Sequence, residues 1–136
     1  MGELIAIAFA IAFVGVLFAI GSRNTNRQIK ATLSKRDNLS HEEFLRSMSP
    51  DVSRAAAEFL WASAMNYLEA LQQEITPHPD DHLVDDLPID DEEWSMDWPR
   101  EWAEKQGFHE SNLPDWPKDW PVTVRNFGRW LDRGPQ

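Results

Sequence analysis

Apolar positions follow two regimes along this chain. Leu4–Ile20, LIAIAFAIAFVGVLFAI, is an unbroken apolar run without a charge, a polar side chain or a proline. As a helix it spans about 26 Å at 1.5 Å per residue, and Gly21 and Ser22 extend it toward the ~30 Å hydrocarbon core of a bilayer. The pattern predicts a transmembrane helix over residues 1–22. A cleaved signal peptide is the competing reading. Ala19–Ser22 would suit cleavage, but the positive charge that precedes such a run is missing, since Glu3 is the only charged side chain there.

The second regime is helical. Residues 23–38 lack an apolar period and read as a juxtamembrane linker. Ser40-His41-Glu42-Glu43 is a capping box, with Leu39 and Phe44 placed as its hydrophobic staple. Ser49-Pro50 supplies a further N-cap and a proline for the first helical position, with Asp51 in the first turn. From Val52 to about Glu74, Ala57, Leu60, Ala64, Tyr67, Leu68, Leu71 and Ile75 share one face, widened by Trp61 and Met65. Trp94, Trp98 and Trp102 recur every four residues, so Pro99 has to sit at a helix start or a kink. Residues 108–121 hold three prolines and read as a loop. Thr123 then caps a last helix that buries Val124, Phe127, Trp130 and Leu131 and ends near Arg133-Gly134. No stretch alternates as a strand does. The expected fold is all-α, a transmembrane helix followed by a bundle of three or four helices over residues 39–136.

Composition sharpens this division. The chain is 42% hydrophobic, yet its mean hydropathy is −0.51 and its net charge is −10. The two figures agree once the apolar run is set aside, leaving roughly 100 acidic residues, enough for one small domain. A pI near 4.7 excludes a phosphate-binding nucleic-acid surface. The absence of cysteine excludes disulfides, a thiol nucleophile and thiolate zinc sites. Arg23, Arg27, Lys30, Lys35 and Arg36 follow the apolar run with no acidic residue among them. The positive-inside rule then puts the N-terminus outside and the domain in the cytoplasm, as for a bacterial inner-membrane protein. The same collar can sit on anionic headgroups. Ala8, Ala12, Gly15 and Ala19 form a small-residue stripe through which two copies could pair.

The acidic charge is concentrated in Thr76–Asp97, which contains no Lys or Arg. The order there is a long helix, a loop with Asp86-Leu87-Pro88-Ile89-Asp90-Asp91, a second helix, another loop, and Thr123-Val124 opening a short final helix. This order resembles the acyl carrier protein superfamily over approximately residues 50–133. In that family an Asp-Leu-Gly-x-Asp-Ser-Leu motif starts the second helix, and its serine carries 4′-phosphopantetheine. Here Pro88 stands for the glycine, Asp91 for the serine and Glu92 for the leucine. The resemblance therefore implies a divergent carrier-like domain without the prosthetic group, because a carboxylate cannot form the serine phosphodiester. Ser95, one turn further on, is the displaced alternative for modification. In carrier proteins the second helix docks enzymes that present Arg and Lys. By resemblance Asp86, Asp90, Asp91, Glu92, Glu93 and Asp97 are the expected docking residues for a basic-faced partner, without cargo. A solvated face with no dedicated partner is the alternative.

Other chemistries fit less well. His78, Asp80 and His82, with Asp81, Asp85 and Asp86 nearby, are a weak set for zinc or manganese, because Pro77 and Pro79 oppose a shared helical face. Asp80–Asp91 lacks the mid-loop glycine of an EF-hand. A metal-dependent hydrolase would need these carboxylates to converge in a cleft, and no nucleophile or phosphate-loop motif accompanies them. Trp98-Pro99, Trp116-Pro117 and Trp120-Pro121 show no three-stranded WW pattern. Their indoles fill a small core, or else Trp116 and Trp120 lie at the bilayer surface.

Overall fold

The computed structural model describes residues 24–136 and the single helical position Ala12. The expected transmembrane helix, the rest of the small-residue stripe and Arg23 lie outside the described residues. Among the described residues no helix is long and apolar enough to cross a membrane.

The described part is all-helical. Its helices are α1 (24–35), α2 (His41–Met48), α3 (Arg54–Ala70), α4 (Trp98–Gln106) and α5 (Val124–Leu131). A π-helical turn, Glu93–Asp97, leads into α4, and a 3₁₀ turn, Glu110–Asn112, follows it. Among the described residues there is no strand, only one isolated antiparallel bridge between His82 and Thr123. One core joins the elements. Phe44 and Met48 of α2, Leu60 and Leu68 of α3, Leu83 and Leu87 of the acidic loop, Trp98 of α4 and Phe127 of α5 are all essentially inaccessible.

Local signals set the helix starts. Ser40 accepts from the Glu43 backbone N–H and Glu43 reaches back to the Ser40 N–H, so the capping box forms as expected. Its bonds to Ser40, first through the side chain and then through the backbone, hold the Glu43 carboxyl below its ordinary range. Thr123 caps α5 through Asn126 N–H at 3.2 Å, and Val124, Phe127, Trp130 and Leu131 are all buried. The start of α3 lies later than expected. Ser53, not Ser49, is its N-cap, accepting from Ala56 N–H at 3.2 Å, while Pro50 stays outside the helix behind a cis peptide bond. Asp51 pairs with Arg125 instead of charging the first turn. At the other end α3 stops at Ala70, and Gln72 takes a positive φ of 58°. That turn leaves Leu71 exposed and returns Ile75 to the core from outside the helix.

Residues 23–38, expected to be a linker, are corrected by the structure: 24–35 form α1, which packs on the domain. Ile29 and Thr32 are buried, Gln28 and Thr32 share one face at i and i+4, and Arg36 follows just past the end of α1. Gln28 donates to the Val84 carbonyl, and Thr32 donates to the Asp86 carbonyl at 2.6 Å. Arg36 binds Asp81. The seam is mostly polar, which is why the apolar pattern did not show it.

Pro99 explains the π turn. In a regular α-helix its ring would meet the carbonyl of residue 95, four positions back. Widening the preceding turn lets Trp98 N–H bond to Glu93 O, five residues back, and α4 continues with Pro99 in its first turn. Gly107, at φ 82°, closes α4 in the left-handed conformation. Gly128 allows the close approach of α5 to the start of α3, since a Cβ there would lie 2.6 Å from Val52 Cγ1.

Candidate functional site

The acidic loop is built by its own polar side chains. His78 Nδ1 accepts from Asp80 N–H at 3.1 Å, and His82 Nδ1 accepts from the N–H groups of Val84 and Asp85. Each histidine thus spends one ring nitrogen on a turn. Asp86 Oδ2 accepts from His82 N–H at 2.8 Å, which closes the turn that carries Leu83 and Leu87 into the core. The weak metal set is not assembled. His78, Asp80 and His82 are occupied by turns, and Asp80 is paired with Arg125. Among the described residues no three His, Asp or Glu side chains come together as a metal site.

Asp81 organises this loop. Its side chain is 5% exposed, and it accepts from Arg36 Nε at 3.0 Å, Arg36 Nη2 at 2.5 Å and His78 N–H at 2.9 Å. Its carbonyl accepts from Val124 N–H at the start of α5. Such a fork-shaped pair is the geometry for which arginine is suited. Arg36, expected in the lipid-facing collar, is therefore turned into the domain. Arg27, Lys30 and Lys35 remain exposed, with Arg27 and Lys30 on the side of α1 away from the seam.

The residues expected to dock a partner divide into two groups. Asp86 is a turn residue. Glu93 Oε1 accepts from Trp98 Nε1 at 3.1 Å, so it anchors the π turn to a buried indole. Burial, reinforced by the Asp97 and Glu101 charges, raises its carboxyl above the ordinary range against that hydrogen bond. Asp97 is paired with Arg100 at 2.6 Å. These three have internal work. Asp90, Asp91 and Glu92 are exposed and make no ion pair among the described residues. Asp90 Oδ1 caps Glu92 N–H, and Asp91 Oδ1 accepts from Trp94 Nε1, each at 3.2 Å. Burial raises the Tyr67 hydroxyl, with the charges of Asp90 and Glu93 adding to the effect against a bond from the Asp90 backbone.

Beside the free carboxylates lies a residue that sequence reasoning missed. Met96 is 57% exposed on the π turn. Ser95 is exposed next to it, its hydroxyl donating back to the Asp91 carbonyl. Along this helix the exposed Met96 follows Ser95 and lies about one turn beyond Asp91 and Glu92. The signal was available, because Met96 falls out of step with the buried stripe of Trp98 and Trp102.

The tryptophans pack inward for the most part. Trp116 lies 6.0 Å from Phe127 and 5.6 Å from Trp130 between ring centroids, and its Nε1 donates to the Trp120 carbonyl. Trp130 Nε1 donates to Pro114 O, tying the proline loop to α5. Trp120 is half-buried at the edge of this cluster, with the guanidinium carbons of Arg129 and Arg133 at 4.3 and 4.8 Å from its ring. Searches of protein-family models, characterised proteins and solved structures return no match to this chain.

Proposed function

We propose that this chain is a membrane-tethered, cargo-free docking module that holds a basic-faced protein partner near the bilayer. The observation that carries the reading is Met96. A methionine 57% exposed, one helical turn from Asp91 and Glu92, which make no ion pair among the described residues, is an apolar anchor with an acidic rim. Anchors of this kind supply affinity, and the charges around them supply steering and choice of partner. The order of elements supports the likeness to carrier proteins: a long α3, an acidic loop, the helix at 91–106, a short turn and the Thr123-capped α5. The apolar run at Leu4–Ile20 supports the tether.

The structure narrows the residues to be tested. Asp86, Glu93 and Asp97 serve the fold, so changing them would confound docking with stability. Glu92→Lys and Met96→Glu change exposed side chains that hold no hydrogen bond among the described residues, and Asp91→Lys gives up only the exposed bond from Trp94 Nε1 at 3.2 Å. Full-length protein purified from membranes with and without these three changes is expected to lose a basic partner while keeping its melting temperature. A partner set that is unchanged, protein by protein, would remove the docking function.

A further inference from the structure

Among the described residues the exposed large apolar side chains are Leu33, Leu71, Val84 and Met96. Met96 belongs to the docking face. The other three lie on α1 or on the segments that α1 touches. Gln73 Nε2 donates to Asn26 Oδ1 at 3.1 Å and to the Leu71 carbonyl at 3.3 Å, so one amide group joins the turn at Leu71 to α1. Gln28 donates to the Val84 carbonyl. Asn26 and Gln28 are about 3 Å apart along the helix axis and about 160° apart around it. Ile29 falls between their two directions and is buried. The Leu71 turn and the Val84 loop therefore flank α1 at one level, close to its first residue.

The length of chain ahead of α1 selects what these two side chains meet. The apolar run ends at Ile20 and α1 starts at Asn24. Four residues reach at most about 14 Å even when fully extended, and the headgroups occupy roughly 5–7 Å on each side of the hydrocarbon. A tether this short holds the first turn of α1, and the two residues beside it, at the headgroup layer. We propose that the domain stands on the bilayer through Leu71 and Val84, which enter the headgroup layer on either side of the tether. Contact on both flanks requires α1 to rise from the surface. Leu33, on the same face as Asn26 but about 10 Å further along the axis, is then lifted clear. Two partly exposed side chains are weak anchors by themselves, and the tether supplies the effective concentration that makes them sufficient. Exposed charges of both signs lie nearby in the chain, Arg27 and Lys30 on α1 against Glu69 and Asp85, so the contact does not depend on anionic lipid.

This stance rests on the tethered reading, and the two fail in different ways. The full chain, with ¹³C-methyl leucine and valine, is reconstituted into nanodiscs of phosphatidylcholine. The Leu33, Leu71 and Val84 methyl signals are identified by their loss in Leu33→Ser, Leu71→Ser and Val84→Ser. Phosphatidylcholine carrying a nitroxide high on its acyl chain is expected to broaden Leu71 and Val84 at least threefold more than Leu33. A water-soluble gadolinium chelate should show the reverse order. A chain that stays with the discs but whose Leu71 and Val84 signals respond to the lipid nitroxide no more than Leu33 overturns the stance alone. So does a pair that broadens with the lipid yet remains as open to the chelate as Leu33, because that is proximity without contact. Shielding from both reagents means that protein covers the two residues, and overturns the bilayer as their occupant. A chain that leaves the discs overturns the tether, and the stance with it.

Discussion

Replacing Arg36 with methionine keeps much of the side-chain bulk and removes the partner of Asp81. The Asp81 side chain is 5% exposed and Arg36 13%, so the change strands a carboxylate out of reach of bulk water. Asp81 would keep only the His78 N–H bond, and the Thr76 carbonyl would lose its donor from Arg36 at 2.9 Å. Breaking a buried pair from one side costs about 3–5 kcal/mol, and the residual exposure of Arg36 places this case near ~3 kcal/mol. With a urea m-value of about 1.5 kcal/mol/M for a domain of this size, the unfolding midpoint should fall by about 2 M. The measurement is a urea titration of the full chain in mild detergent, followed by circular dichroism. Arg54→Met is the control. Arg54 is 70% exposed and 3.6 Å from Glu42, so its loss should stay within about 0.5 kcal/mol. Adding Asp81→Asn to Arg36→Met removes the stranded charge while keeping an acceptor for His78 N–H, and should recover part of the loss. A fall no larger than that of the control, or a double variant weaker than Arg36→Met alone, would refute the reasoning.

Two further outcomes follow from packing and charge. Gly128→Ala gains up to about 1 kcal/mol of helix propensity but sets a Cβ 2.6 Å from Val52 Cγ1 and 3.1 Å from Met48 Cε. Overpacking of about 1–3 kcal/mol should win, giving a lower melting temperature that Val52→Ala restores in the double variant; a Gly128→Ala protein more stable than the parent would contradict this. Glu93 holds its proton more tightly in the folded state than in the unfolded chain, because its pKa is raised on folding. Its favourable contribution is therefore present below the ordinary carboxylate range and lost as pH rises through the folded-state value. Glu93→Gln keeps an acceptor for Trp98 Nε1, so thermal melts should show it at least as stable as the parent at neutral pH, with the gap closing in acid. A gap that widens in acid has the wrong sign.

What the sequence displayed was local. The capping box at Ser40 and the Thr123 cap with its four buried residues need only contacts within one or two turns, and both formed as expected. Pro99 announced a disturbance but not its form, because a kink and a π turn both relieve the clash of its ring with the carbonyl of residue 95. The α1 seam left almost no trace. Three of its four named contacts, Gln28, Thr32 and Arg36, are polar, and their partners on the loop lie 56, 54 and 45 residues away. For the same reason the acidic run was legible as a run but not as a site. Which carboxylates are spent on Trp98, Arg100 or a backbone turn depends on three-dimensional pairing, and only that pairing leaves Asp91 and Glu92 exposed without an ion pair near Met96.

Cross-linking from position 96 tests the docking claim most directly. A photoreactive phenylalanine analogue replaces Met96 in the full chain, and irradiation is carried out in intact membranes. The docking account predicts one dominant adduct, joined through an Arg- or Lys-rich segment of the partner and lost when Asp91→Lys and Glu92→Lys are added. Labelling no stronger than that from the exposed Glu69 of α3, or an adduct indifferent to the two charge reversals, would contradict it.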